Sequence, residues 1–183
     1  DFDKALLETQ SNLKNRSIAD LLHLPQMEDP YQLAAMRILA SVAPAAYISF
    51  PKLLPLVAMK MVNLSVEFGN ASSSAFGYAI YGFILCGIVD DIESGSQFGQ
   101  LALNLVEKFN SKDIESKVLL LVGHFIKHWR ESVHKSLPLL TKAYQVGLEA
   151  GDLEFAGFSA SFYCFDCILV GQELENLETE IAA

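Results

Sequence analysis

The chain has 183 residues, 51% of them apolar, and a formal charge of −9 from 13 basic and 22 acidic side chains. That length suits one domain with a substantial core, and a mean hydropathy of +0.29 points to helices buried on more than one side. The acidic balance excludes nucleic acid and anionic membrane as partners, because both demand clustered cations.

Helical periodicity runs through almost every segment, and none alternates with period two. A first helix is expected from Phe2 to Asn15, with Ala5, Leu6 and Leu13 on one side. Ser17-Ile18-Ala19-Asp20 has capping-box spacing and starts a short helix through Leu22, which Pro25 stops. Asp29-Pro30 opens the next: the carboxylate accepts from first-turn amides, and proline lacks the amide that would be orphaned there. That helix is expected to reach Tyr47, kinked or shortened by Pro44. Pro51 marks another start, with the helix running to Phe68 and Gly69-Asn70 supplying a left-handed C-cap.

Ser72 to Ser74 cap a helix to Val89, and Asp90-Asp91 precedes one from Ile92 to Phe109. Asn110 to Asp113 form a turn, with Asp113 capping a helix to Arg130. A helix starts near Ser136 with Pro138 in its first turn, and Gly151-Asp152 ends it and caps the next, to Val170. Gly171 precedes a last helix over Glu173 to Ala182. The longest uncharged apolar run, Ala75 to Val89, is shorter than the roughly 20 residues of a membrane span. Its Gly77, Gly82 and Gly87 suit close helix contact.

Three stretches recur: Leu64-Ser65-Val66-Glu67-Phe68-Gly69-Asn70, Leu105-Val106-Glu107-Lys108-Phe109-Asn110 and Gly147-Leu148-Glu149-Ala150-Gly151-Asp152. Their glutamates repeat at about 40 residues, the mark of stacked helix pairs. The expected fold is all-α, a right-handed α-α superhelix of four antiparallel pairs at 29–69, 73–109, 114–150 and 152–182 after lead-in helices over 1–28. It makes a single helical-repeat domain over 1–183, tetratricopeptide-like, although that repeat has a period of about 34. Asp1 is not a methionine and Ala183 falls inside a helical pattern, so the chain reads as a fragment of a larger protein. Three cysteines cannot all pair, and no signal peptide is evident, which together suggest a reducing, cytoplasmic setting.

No constellation competes with the repeat for chemistry. Cys164 and Cys167 have metal-pair spacing, and His124 and His128 lie one turn apart, a set that would suit zinc. The plainer reading makes the cysteines small core residues and leaves metal and cofactor sites empty of candidates. Lys127, His128, Arg130, His134 and Lys135 form a basic cluster that complements a helix C-terminus or meets a phosphate or acidic partner. Trp129 beside them should pack on the next helix. The acids fall at helix starts, where capping explains them, so no catalytic residue is assigned. The functional surface expected is the groove lined by the first helices of the pairs, with Tyr78, Tyr81, Phe125, Phe158, Phe162 and Tyr163 as its aromatic face.

A resemblance adds context. Ser17 to Pro30, followed by Leu33-Ala34-Ala35-Met36-Arg37-Ile38-Leu39, carries part of it. Lys60-Met61-Val62-Asn63-Leu64-Ser65, Gly95-x-x-Phe98-Gly99-x-Leu101-Ala102-Leu103 and Gly151-Asp152-Leu153-Glu154-Phe155-Ala156 carry the rest. These stretches resemble the helical middle region of very large, mainly cyanobacterial signalling proteins. Such proteins join a serine/threonine kinase domain, an AAA-type ATPase, this helical region, a GAF sensor and a histidine kinase. The resemblance implies a non-catalytic scaffold or regulatory module of a signal-transduction kinase. It has none of the parent's catalytic motifs: no phosphate loop, no H-R-D and no D-F-G. The partners expected are other domains of the parent, a protein or peptide, or a second copy. The alternative is a small-molecule sensor with its ligand between helices.

Overall fold

The computed structural model describes residues 1–182; Ala183, where the expected domain ends, lies outside the described residues. The helices are α1 (Phe2–Leu13), α2 (Pro30–Ser49), α3 (Leu54–Phe68), α4 (Ser72–Ile84), α5 (Ile92–Phe109), α6 (Lys112–Leu120), α7 (Leu137–Ala150), α8 (Leu153–Leu169) and α9 (Leu174–Ala182). Among the described residues there is no strand, only a lone bridge between Gln26 and Asn70. The lead-in between α1 and α2 holds a 3-10 turn, Ala19–His23. Two helices end in wider π-helical turns, α4 through Leu85–Val89 and α6 through Leu121–Ile126.

Local chemistry sets the boundaries. Ser17 and Asp20 form the reciprocal capping box, Asp20 N donating to Ser17 Oγ and Ser17 N to Asp20 Oδ2, each at 3.2 Å. Asp29 accepts from Tyr31 N at 2.8 Å and Gln32 N at 3.2 Å. Asp91 and Asp152 do the same for Ser94 N and Phe155 N. Asn110 and Gly151 close α5 and α7 in left-handed geometry. Several expected limits shift. The helix α2 continues through Pro44 to Ser49. The helix α3 begins at Leu54, with Pro51 in the preceding turn and Pro55 in the first helical turn. Asp113 does not cap α6 but sits in its first turn, after Ser111.

Consecutive helices joined by short turns pack on one another, and the first member of each pair also touches the next: α2 on α4, α4 on α6, α6 on α8. The buried apolar cluster runs without a break from Leu21 to Phe155. Ser72–Val89 is long and apolar enough to cross a membrane, longer than the run expected from sequence, yet 72% of it is buried inside the protein. Its partner surface is backbone. A side chain at Gly95 would collide with Cys86 Sγ and stand 2.7 Å from Gly82 O, so α4 and α5 touch through their main chains.

The lead-in is locked down at the α3–α4 turn. Gly69 takes φ 96, and a side chain there would run into Pro25 O. Asn70 is fully buried. Of the expected Gly69-Asn70 cap, Gly69 is the C-cap of α3 at positive φ, while Asn70 has all its polar groups engaged across the fold. Its backbone N donates to Pro25 O at 2.8 Å and its backbone O accepts from Met27 N at 2.9 Å. Its side-chain Nδ2 donates to Leu21 O at 2.7 Å, and its Oδ1 accepts from Tyr78 Oη at 3.1 Å.

Asn70→Ala leaves the Leu21 carbonyl with Leu24 N alone and removes the acceptor of the buried Tyr78 hydroxyl, at a cost of about 1–3 kcal/mol. Urea unfolding should show that loss with an unchanged m-value. Gly95→Ala forces α4 and α5 apart and should cost about 1–3 kcal/mol by overpacking, read in the same assay.

Candidate functional site

The first helices line an apolar cleft. Ala43, Pro44 and Tyr47 of α2 form one wall, and Phe155, Phe158 and Phe162 of α8 form the other. Phe76, Ile80 and Phe83 of α4, with Leu120, Leu121 and Phe125 from the end of α6, lie between them, and the lining surface is entirely apolar. One aromatic from each first helix joins a row. Tyr47 meets Phe125 edge-on at 5.9 Å, Phe83 meets Phe125 at 4.8 Å, and Phe125 meets Phe162 at 5.3 Å. A second row, Phe76–Phe155–Phe158, has centroid spacings of 5.9 and 5.8 Å.

The expected aromatic face divides. Phe125, Phe158 and Phe162 line the cleft. Tyr163 is half-buried against the core. Tyr78 and Tyr81 are 0% and 1% exposed and lie on the other side of α4, packed on Phe98 of α5 at 5.8 and 5.0 Å. They do not line the cleft, because three or four residues separate Phe76, Ile80 and Phe83, while Tyr78 falls about half a turn away. Burial pushes the Tyr78 phenol well above its ordinary range, and burial with the nearby Asp91 charge raises Tyr81 to about 12. Neither hydroxyl ionises near neutral pH. Sequence reasoning missed Phe76, Phe83 and Phe155, which share the i, i+3, i+4 spacing of the residues it chose.

Behind the α8 wall lies a polar pair. His124 Nδ1 and Asp166 Oδ1 are 3.0 Å apart, with side chains 14% and 4% exposed. The imidazole stacks on Phe162 at 4.1 Å and meets Phe125 edge-on at 4.7 Å. Burial pushes His124 below its ordinary value, against the pull of Asp166. His128 Nδ1 turns to His124 O at 2.7 Å, and Cys167 is buried in the core. Among the described residues no three His, Cys, Asp or Glu side chains converge as metal ligands would.

The basic cluster is answered internally. Lys127 and Lys135 both pair with Glu131, at 2.9 and 3.1 Å, and Arg130 with Glu93 at 2.6 Å. Trp129 does not pack on the next helix as expected; it is 41% exposed and lies beside His128 at 5.3 Å.

A histidine held below its ordinary value favours folding only while neutral. Its contribution is complete above about pH 6.5 and is lost as pH falls through the lowered folded value. Urea midpoints should therefore drop on acidification below about pH 6.5. The variant His124→Asn, which keeps an N–H toward Asp166, should flatten that slope. Asp20 and Glu131, also held low by their hydrogen-bond partners, act only in the more acidic carboxylate range.

Over 143 residues, 77% of its length, the chain is 29% identical to hybrid signal transduction histidine kinase G of Dictyostelium discoideum. The chain spans about 4% of that relative's length. No family model matches the chain, and no solved structure resembles it. The likeness is thus to one small region of that histidine kinase.

Proposed function

We infer that the chain is a non-catalytic helical-repeat scaffold and regulatory module of a multidomain, cytoplasmic signal-transduction kinase, and that it works through the cleft. Its four pairs wind as a right-handed, tetratricopeptide-like superhelix, a reading supported by the contacts of each first helix with the next. The observation that carries the function is the cleft itself: two aromatic rows contributed by four first helices, with no polar atom on the lining surface.

The occupant is a helix of the parent or of a partner protein that inserts leucine or aromatic anchors. An apolar cleft open to solvent suits such anchors. A small-molecule ligand needs a few placed polar groups to fix its orientation, which this lining does not offer. The net charge of −9 favours lysine and arginine on the flanks of the docking helix.

A photo-reactive benzoylphenylalanine in place of Phe158 in the full-length kinase tests the reading. Cross-linking to a helix bearing apolar anchors and basic flanks is expected. Truncation of Phe125 and Phe162 to alanine should weaken capture at least about tenfold. Cross-links confined to the cleft's own walls would overturn it.

A further inference from the structure

His124 sits in the π-helical turn that ends α6, wedged between two walls of the cleft. Its ring is stacked on Phe162 of α8 at 4.1 Å and meets Phe125 edge-on at 4.7 Å. Both phenyl rings line the cleft. Phe165, about one turn further along α8, meets the imidazole at 6.0 Å, and Nδ1 is 3.0 Å from Asp166 Oδ1. One titratable side chain therefore joins the end of α6 to the half of α8 that carries the wall.

We propose that His124 is a proton-operated latch on the cleft: neutral, it clips the α8 wall to the end of α6 and holds Phe162 for an anchor, and protonated, it releases the wall, so that the cleft takes its occupant less tightly in acid. The inference rests on the cleft reading and adds its regulation. The sign comes from what surrounds the ring. Asp166 faces it from α8 and favours the charged imidazole, while His128, one turn on, disfavours it. Helix α4 carries no charged residue, and its Tyr78 and Tyr81 are turned to Phe98. Toward this turn α5 presents Gly99, and α7 presents Leu139 and Leu140. The charges nearby on those helices are spent elsewhere, Glu93 on Arg130 and Lys142 on Glu115, and Lys127 is turned to Glu131. A single carboxylate thus faces a ring that is 14% exposed, and burial wins, holding His124 below its ordinary value. A second ring proton costs less with the imidazole out in water than in its slot. Local opening relieves that cost, and the opening ring leaves Asp166 and Phe162 together. Proton and occupant therefore compete, and each weakens the other. The latch is fully closed above about pH 6.5 and yields as pH falls through the lowered value.

Hydrogen exchange on the whole chain, read as protection factors so that the intrinsic pH dependence drops out, tests the latch with no occupant present. Protection of the α8 amides should fall at least about fivefold between about pH 7.5 and about pH 5.5 while that of α4 holds. His124→Asn keeps an N–H toward Asp166 but takes no proton, and should abolish the difference. Asp166→Asn removes the charge that favours protonation and should move the fall to lower pH. The uncharged dye N-phenyl-1-naphthylamine probes the cleft itself. Its affinity, weakened by Phe162→Ala, should be at least about fivefold lower at the acid end and equal at both ends in His124→Asn. Equal α8 protection at the two pH values overturns the proposal, as does a fall in protection or dye affinity that His124→Asn leaves in place. Failure to capture any helix at Phe158 counts against the cleft reading alone, and the exchange data still decide the latch.

Discussion

Asn70 is the residue on which the rest of the arrangement hangs. It lies wholly out of water, and each of its polar groups has found a protein partner. A buried amide with a missing partner costs more than a formed hydrogen bond returns, so the cluster is stable only when complete. That makes the lead-in obligatory rather than decorative: Leu21, Pro25 and Met27 must lie across the α3–α4 turn. It also sets the rotation of α4. With Tyr78 held to Asn70, the opposite side of the helix must carry Phe76, Ile80 and Phe83, and these are the residues that reach the cleft. Gly69 and Gly95 serve the same end by letting backbone approach backbone where a side chain would collide.

The wide turn that ends α6 matters in the same way for the other wall. Adjacent residues on a regular helix point about 100° apart, and a π turn takes in an extra residue that re-aims the side chains around it. Here His124 and Phe125 both lie against Phe162 of α8. The imidazole then reaches past the ring to the buried Asp166 carboxylate. A carboxylate in a core needs a donor, and His124 is that donor when its Nδ1 carries the proton. The cleft is thus apolar on its surface and tied by a polar bond just behind it.

The caps were legible because their chemistry is local. Asp29, Asp91 and Asp152 bond to amides two or three residues on, and a short window of sequence contains the whole interaction. Asn70 was not, since its decisive partners lie up to 49 residues away and a Gly-Asn pair reads equally well as a turn. The site was half legible for a related reason. Periodicity finds residues that share a face, but α4 is apolar around its circumference, so spacing alone could not tell the face toward Phe98 from the face toward the cleft. Phe125, Phe158 and Phe162 came through, whereas Tyr78 and Tyr81 fell on the wrong side of the helix. Asp166, between Cys164 and Cys167, drew no reading of its own. A lone acid among apolar neighbours such as Phe165 and Cys167 signals a buried pair, and His124 is the half-buried histidine that answers it.

The α8 wall is held from behind by the same helix. Phe158 and Phe162 face the cleft, while Phe165 and Asp166 meet His124 at the end of α6. Protein interiors are close-packed and pass strain along rather than absorbing it. An anchor seated in the cleft would push on the Phe158–Phe162 wall, and the His124–Asp166 bond would resist by holding α8 to the end of α6. The buried histidine–aspartate pair thereby sets how stiff the cleft wall is.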